Sequence, residues 1–197
     1  MIKAIIFDLG GVYFSAGTEI AYKRLVKEFP NIKPNKILGI IRTDKITKDY
    51  RLGRYTKKEF WKKAKKFAGT GFDAKKFSKI WNSSYTLNRD VAKISLRLKK
   101  NYKIAVLSGN IRERIKYLDH IYNFKKNFDV FVCSYMLNAN KPDKKIYLEV
   151  LRRLKLKGDE CVFIDNNRKN IRAAERLGMK AVYFKNAKQL KKELAFI

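Results

Sequence analysis

Several residue types are scarce in this sequence, and each scarcity excludes a class of protein or site. The two cysteines, Cys133 and Cys161, lie in separate apolar runs and form no C-x-x-C pair. We therefore expect reduced core cysteines, and neither a disulfide framework nor a zinc or dithiol site. The single histidine, His120, falls in a helical pattern away from the other polar motifs, which argues against a Ser-His-Asp triad. A Walker-type phosphate loop is missing as well.

Long apolar runs are also missing. No stretch approaches the ~18 apolar residues that a membrane span needs. The N-terminal apolar run is interrupted at Asp8 and has no convincing signal-peptide cleavage site. We expect a soluble, cytoplasmic protein with no membrane partner. The 197 residues, of which 46% are hydrophobic, suffice for one ordinary domain or for a core domain with a small insertion.

Acidic residues are few, because the chain has 18 Asp and Glu against 47 Lys and Arg, a formal net charge of +29. Such a charge attracts anionic partners, which include both phosphorylated metabolites and nucleic acids. The basic residues are spread along the chain in short lysine runs, which favours compositional bias over a dedicated nucleic-acid surface. The sequence does not specify an oligomeric state.

Apolar strand-like runs and helical patterns alternate along most of the chain, which predicts a parallel sheet covered by helices on both faces. The fold class is therefore α/β, with a Rossmann-like core. The predicted strands are residues 4–7, 104–107, 130–133, 161–164 and 181–184, and the helices between them are residues 90–99, 112–122, 146–154 and 171–177.

One stretch breaks the alternation. Between residues 15 and 88, helical patterns follow one another without a clear strand, and Thr56 to Glu59 form a capping-box pattern before Phe60 and Trp61. We predict an α/β core made of residues 1–14 and 89–197, and a small all-helical insertion made of residues 15–88.

Polar side chains follow four of the predicted strands. Asp8 closes the first, Ser108-Gly109-Asn110 closes the second, Lys141-Pro142 follows the third after a loop, and Asp165-Asn166-Asn167 closes the fourth. Ligands of open parallel sheets bind beyond the carboxyl ends of the strands, so we expect one shared site there. Pro142 suits the first position of a helix, which would fix Lys141 near that edge.

These segments resemble the four site motifs of the haloacid dehalogenase-like (HAD) hydrolases, in their order along nearly the whole chain. The matching runs are Ile6-Phe7-Asp8-Leu9-Gly10-Gly11-Val12, Val106-Leu107-Ser108-Gly109-Asn110, Lys141-Pro142-Asp143 and Phe163-Ile164-Asp165-Asn166-Asn167. The helical insertion resembles a type-1 cap. Gly10, together with Gly53-Arg54-Tyr55-Thr56 and Phe60, resembles the sugar-phosphate phosphatase branch.

The resemblance implies a Mg²⁺-dependent phosphatase of small phosphorylated metabolites, and the residue types suit that chemistry. Asp8 would be the nucleophile that forms an aspartyl-phosphate. Lys141 and Ser108 would be the other catalytic residues. The phosphate would be bound by Ser108, Gly109, Asn110 and Lys141, and Mg²⁺ by Asp8, the Gly10 carbonyl, Asp165 and Asn166.

Two positions depart from the usual pattern of such phosphatases and leave alternatives open. Gly10 stands where a second aspartate commonly protonates the leaving group, and Asn166 stands where a metal-binding aspartate is usual. We expect slower turnover and weaker Mg²⁺ binding. A metal-free 2-haloacid dehalogenase, which lacks the second aspartate too, is the chemical alternative. A catalytically eroded fold that binds nucleic acid or acidic partners is the alternative from another class.

Overall fold

A five-stranded parallel sheet forms the centre of the protein, whose computed structural model describes residues 1–195. The sheet order is β3-β2-β1-β4-β5, and all neighbouring strands pair in parallel. The predicted α/β fold is therefore confirmed, with strand ends that differ from the predicted ones by at most one residue. The strands are β1 Ala4–Phe7, β2 Lys103–Ser108, β3 Val130–Cys133, β4 Cys161–Asp165 and β5 Lys180–Tyr183.

The α-helices of residues 1–195 fall in two groups. Five of them follow β1 and precede the first core helix, whereas the other five alternate with the remaining strands. The first group is α1 Gly17–Glu28, α2 Pro34–Leu38, α3 Lys45–Arg51, α4 Lys57–Ala68 and α5 Ala74–Ser83, with a π-helical turn at Gly39–Thr43. The second group is α6 Arg89–Leu98, α7 Arg112–Tyr122, α8 Lys144–Leu154, α9 Arg168–Glu175 and α10 Ala187–Glu193.

The central strand β1 is buried on both faces, which explains why it has no polar residue. Successive side chains of a strand point to opposite faces. Ile5 and Phe7 pack in one apolar cluster with residues of α6, α7 and α10. Ala4 and Ile6 pack in another, with residues of α8 and α9.

Helices α1 to α5 enclose a third apolar cluster of their own, rich in aromatic rings such as Phe60, Trp61 and Trp81. The predicted capping box starts α4, because the Thr56 amide donates to Glu59 Oε2 at 2.8 Å and the Glu59 amide donates to Thr56 Oγ1 at 3.2 Å. The helical nature of the insertion is thus confirmed. Its predicted bounds, residues 15 and 88, stay a prediction, and residues 196–197 of the predicted core lie outside the described residues.

One expectation about the helices was wrong, and one helix was missed. Pro142 is not the first residue of α8, because Asp143 caps that helix by accepting the amide of Lys145 at 2.9 Å, and the helix begins at Lys144. Helix α10 was not predicted at all. Among the helices of residues 1–195, none combines the length and the apolar character needed to cross a bilayer.

We predict that the free energy of unfolding depends on the packing around β1. Ile6 is 0% exposed, so Ile6→Ala should lower that free energy by about 2–5 kcal/mol in urea unfolding, through lost burial and the cavity left behind. Ile20→Ala is the matched control, because Ile20 on α1 is 44% exposed. A control effect as large as that of Ile6→Ala would contradict the described core.

Candidate active site

The carboxyl ends of three neighbouring strands bring the predicted polar residues to one edge of the sheet. Because β1 pairs with β2 on one side and with β4 on the other, Asp8 lies between Ser108 and Asp165. The Asp8 amide donates to the Ile164 carbonyl at 2.9 Å, which holds the end of β1 against β4. These three residues line a cavity of about 590 Å³.

Lys141 reaches this edge from the loop between β3 and α8. Its Nζ donates to Asp8 Oδ1 at 2.7 Å and to Asp165 Oδ2 at 2.6 Å. All three side chains are largely withdrawn from solvent, with exposed fractions of 5%, 11% and 0% for Lys141, Asp8 and Asp165. One ammonium group therefore compensates two buried carboxylates.

Further contacts fix the orientation of Asp165. Its Oδ1 accepts the Asn167 amide at 2.8 Å, and its Oδ2 also accepts Asn170 Nδ2 at 3.0 Å. A buried carboxylate is tolerated only when its oxygens are satisfied in this way. The Asp165 side chain is thus held in place before any ligand arrives.

The environment sets the ionisation of Asp8 and Lys141. Burial raises the pKa of Asp8 to about 6, although the nearby charge of Lys141 lowers it, and the charge of Asp165 adds to the rise. Burial alone would lower the pKa of Lys141, but the two carboxylates raise it above its ordinary value. At neutral pH Asp8 is therefore mostly a carboxylate and Lys141 is an ammonium ion.

The segment after β2 forms the other wall of the cavity. The Ser108 hydroxyl accepts both the Asn110 amide and Asn110 Nδ2, each at 3.2 Å. Since these bonds use its lone pairs, its own proton is available to an oxyanion. A Cβ at Gly109 would lie 2.7 Å from Asn140 Oδ1, so the close approach of that side chain requires glycine. Ser108, Gly109, Asn110 and Lys141, the predicted phosphate-binding residues, all line the cavity.

The predicted metal ligands lie on the same cavity. Asp8, Gly10, Asp165 and Asn166 are all among its lining residues. Gly11 has a φ of 87°, and a Cβ there would collide with the Asn166 amide, so glycine is needed where Asn166 meets the first loop. Within residues 1–195 no group of three His, Cys, Asp or Glu side chains could hold a metal ion. The donors offered are two carboxylates, one amide and one backbone carbonyl.

Sequence reasoning missed four arginines of this cavity, Arg42, Arg51, Arg114 and Arg168. A signal existed for Arg114, because it falls on the buried face of α7 between Ile111, Ile115 and Leu118. A charged residue in such a position is unusual and invites a functional explanation. No comparable pattern marks the other three.

Other residues singled out in the sequence lie elsewhere. His120 is exposed on α7 and does not line the cavity. Arg54 donates from Nε to Asn138 Oδ1 at 2.8 Å, and with Tyr55 it lines a second cavity of about 910 Å³ between the helical insertion and α7. Cys133 and Cys161 are buried free cysteines, in agreement with the expectation.

Comparison with known proteins gives the family. The model of the haloacid dehalogenase-like hydrolases matches residues 2–178, and the chain belongs to this family of hydrolases. An uncharacterised protein of Dictyostelium discoideum is 32% identical over 160 residues, which cover 77% of this chain and 66% of that protein. Flavin mononucleotide hydrolase 1 of Arabidopsis thaliana is 38% identical over 63 residues, which cover 32% of this chain and 26% of that protein. The matches thus span less than two thirds of either relative.

A solved structure matches the fold over nearly the whole chain. It is a HAD family enzyme of Bacteroides thetaiotaomicron in complex with magnesium and inorganic phosphate, with a TM-score of 0.79 and 23% identity. The superposition covers 94% of this chain and 96% of that one. At this identity the likeness concerns the fold alone.

We predict that Lys141 and Asp8 are energetically coupled. Lys141→Met should lower the free energy of unfolding by about 3–5 kcal/mol, because it leaves two buried carboxylates without their cation. Adding Asp8→Asn should recover part of this loss, with a coupling energy of at least about 1 kcal/mol. Urea unfolding with a chelator present measures all four states of the cycle. Lys144→Met at an exposed position is the control, and strictly additive effects at 8 and 141 would contradict the prediction.

Proposed function

We propose that this protein is a Mg²⁺-assisted phosphatase of small phosphorylated metabolites, with Asp8 as the nucleophile. The observation that carries the proposal is the contact of Lys141 with both Asp8 and Asp165 in the cavity that Ser108 also lines. Two similar proteins support the proposal. One is named a flavin mononucleotide hydrolase, and the other was solved in complex with magnesium and inorganic phosphate.

The chemistry proceeds in two displacements at phosphorus. An Asp8 oxygen attacks the phosphate, the bond from phosphorus to the leaving oxygen breaks, and an aspartyl-phosphate forms. Water then attacks the phosphorus of this intermediate, loses a proton to solvent, and releases inorganic phosphate with Asp8 regenerated. Splitting one difficult displacement in this way lowers the barrier of each step.

Positive charge must offset the approach of a carboxylate to a phosphate dianion. Two unit charges about 4 Å apart at an effective dielectric constant of about 20 repel by about 4 kcal/mol. Lys141 supplies one cation, and the Ser108 hydroxyl donates a hydrogen bond to a phosphate oxygen. The Gly109 amide adds a second donor near the start of α7.

The donors at the cavity fit Mg²⁺, which prefers carboxylate and carbonyl oxygens. Asp8, the Gly10 carbonyl, Asp165 and Asn166 would hold it, and all four residues line one cavity. When bound, the ion would neutralise charge on the phosphate and on Asp8. Because Asn166 contributes a neutral amide, the affinity should be modest.

Protonation of the leaving oxygen has no carboxylate at position 10 to assist it. General acid assistance contributes about 10²–10⁴ in rate, so esters with acidic leaving groups should react fastest. Water entering the cavity would protonate alkyl leaving groups slowly. Aryl phosphates are therefore the first substrates to test.

Asp8→Asn should lower kcat for p-nitrophenyl phosphate and for a panel of sugar phosphates by at least about 10³-fold, because the amide is not a nucleophile. The measurement is phosphate release with Mg²⁺ and with a chelator, on protein whose circular dichroism matches that of the wild type. Asp143→Asn, at the exposed cap of α8, is the matched control and should keep its activity.

The same preparations decide against the alternatives. Halide release from 2-chloropropionate without added metal, in place of phosphate release, would replace the proposal with a dehalogenase. Full phosphatase activity in Asp8→Asn would remove Asp8 from the mechanism. Binding of DNA or RNA that weakens steeply with salt, in a protein without turnover, would favour the binding protein.

Asn166→Asp should lower the Mg²⁺ concentration for half-maximal activity, by about threefold to tenfold, because it adds a carboxylate to the donor set. Asn167→Asp is the matched control, since Asn167 instead caps α9 by accepting the Lys169 amide at 2.9 Å. Mg²⁺ titration of phosphatase activity gives both values. Equal shifts in the two variants would mean that only net charge matters, and would contradict the role assigned to Asn166.

A further inference from the structure

Arg114 is a buried arginine at the edge of the cavity that holds Asp8. It is 1% exposed, and its guanidinium carbon lies 4.0 Å from the ring centroid of Tyr85 and 4.7 Å from that of Trp81. Its NH1 donates to Asn110 Oδ1 at 2.9 Å. Its Nε and NH2 are also buried, and neither has a hydrogen-bond partner among the described residues. A buried charged donor left in this way is costly unless a ligand satisfies it.

Two further arginines come to the same cavity from the helical insertion. Arg51 is half-buried at the end of α3, and its NH2 donates to the Ile41 carbonyl at 2.9 Å. Arg42 is exposed in the π-helical turn. Arg42, Arg51 and Arg114 all line the cavity that holds Asp8.

No carboxylate among residues 1–195 forms an ion pair with any of these three arginines. The carboxylates that line the cavity are Asp8, Asp165 and Glu19. The first two are paired with Lys141, and Glu19 is exposed on α1. These three arginines thus face the cavity without a counter-ion from the described chain. Arg168, exposed at the start of α9, also lines the cavity without an ion pair to a described carboxylate, and its guanidinium carbon lies 4.5 Å from the ring centroid of Tyr183.

Arg114 is set back from Ser108 and Lys141, the two side chains proposed to hold the reacting phosphate. Asn110 lies between them, because its Nδ2 donates to Ser108 Oγ and its Oδ1 accepts from Arg114. A phosphate held at Ser108 and Lys141 would therefore leave the free Nε and NH2 of Arg114 for another group. A guanidinium fork matches a carboxylate or a phosphate in size and geometry.

We propose that Arg114, Arg51 and Arg42 form a subsite for a second anionic group of the substrate, a carboxylate or a further phosphate. The substrate class is then a small phosphate ester that carries this second oxyanion. The inference rests on the proposed phosphatase function for the identity of the first group, but the subsite can be tested without turnover.

Binding of unreactive phosphonates tests the subsite. Isothermal titration with Mg²⁺ compares phosphonoacetate, 3-phosphonopropionate and 4-phosphonobutyrate with alkylphosphonates of the same chain lengths. We expect the wild type to bind at least one carboxylated member about tenfold or more tightly than the alkylphosphonate of the same chain length, as a charge-assisted hydrogen bond would give. A parallel series of alkane bisphosphonates tests a second phosphate, and a preference in either series supports the subsite.

Variants assign the preference to the arginines. Arg114→Gln, which removes the guanidinium charge and keeps a polar side chain, should reduce the preference to less than about threefold and leave the affinity for ethylphosphonate within about threefold. Arg42→Gln, at an exposed position that the core does not need, should reduce the preference in part. Arg112→Gln is the matched control, because Arg112 on the same helix contacts Tyr135 and lines the other cavity.

Several outcomes would overturn the subsite. The wild type could bind phosphonates with and without the second anionic group equally at every chain length. Arg114→Gln could weaken ethylphosphonate as much as 3-phosphonopropionate, which would make Arg114 part of the reacting-phosphate site. If Arg114→Gln fails to fold, an unchanged preference in both Arg42→Gln and Arg51→Gln would have the same force.

Turnover separates this inference from the proposed function. Equal kcat/KM for glycerol 3-phosphate and 3-phosphoglycerate, with no preference in the bisphosphonate series, would overturn the subsite and leave the phosphatase standing. No turnover of any ester, with a clear binding preference that Arg114→Gln removes, would overturn the phosphatase and leave the subsite standing.

Discussion

The whole site depends on the ammonium group of Lys141, which lies between the carboxylates of Asp8 and Asp165. Without it, two buried negative charges would face each other at the end of adjacent strands, and a phosphate would add to the repulsion. The contact also ties the loop after β3 to the edge formed by β1 and β4. These two ion pairs of Lys141 therefore organise both the local fold and the electrostatics of the cavity. Burying these three charged groups costs free energy of desolvation. The cost is offset because Asp165 also accepts hydrogen bonds from the Asn167 amide and from Asn170 Nδ2.

Much of this arrangement could be predicted from the sequence, because several of the site residues directly follow a strand in the chain. A short apolar run followed by Asp8 or by Asp165 is visible without tertiary information, and parallel pairing then brings such ends to one edge. The first residue of a helix was harder to predict from the sequence. Pro142 and Asp143 are both common at helix starts, and the hydrogen bond that Asp143 accepts from the Lys145 amide makes α8 begin at Lys144. Helix α10 was not predicted because Leu190 is its one fully buried residue, so its sequence has only a weak amphipathic pattern.

The arginines of the cavity could not be singled out from the sequence. Among 47 basic and 18 acidic residues, most positive charges must lack an acidic partner, so an unpaired arginine in the sequence carries no information. Burial changes this, because an exposed guanidinium is hydrated at no cost whereas Arg114 has lost its water. That burial arises from Trp81 and Tyr85, which lie about 30 residues earlier in the chain. Only the packing of α5 against α7 brings them to Arg114.

The two departures from the usual phosphatase pattern and the unpaired arginines have a common electrostatic consequence. Gly10 and Asn166 each remove a carboxylate from the cavity, while Arg42, Arg51 and Arg114 add positive charge to it. A Cβ at Gly10 would lie 3.7 Å from Asn110 Nδ2 and 3.7 Å from the Tyr85 ring, two of the side chains that contact Arg114. An aspartate at position 10 would therefore place its charge beside the guanidinium and compete with any ligand anion. In the proposed phosphatase, the glycine that would slow protonation of the leaving group would therefore also leave Arg114 free to bind a second anionic group of the substrate.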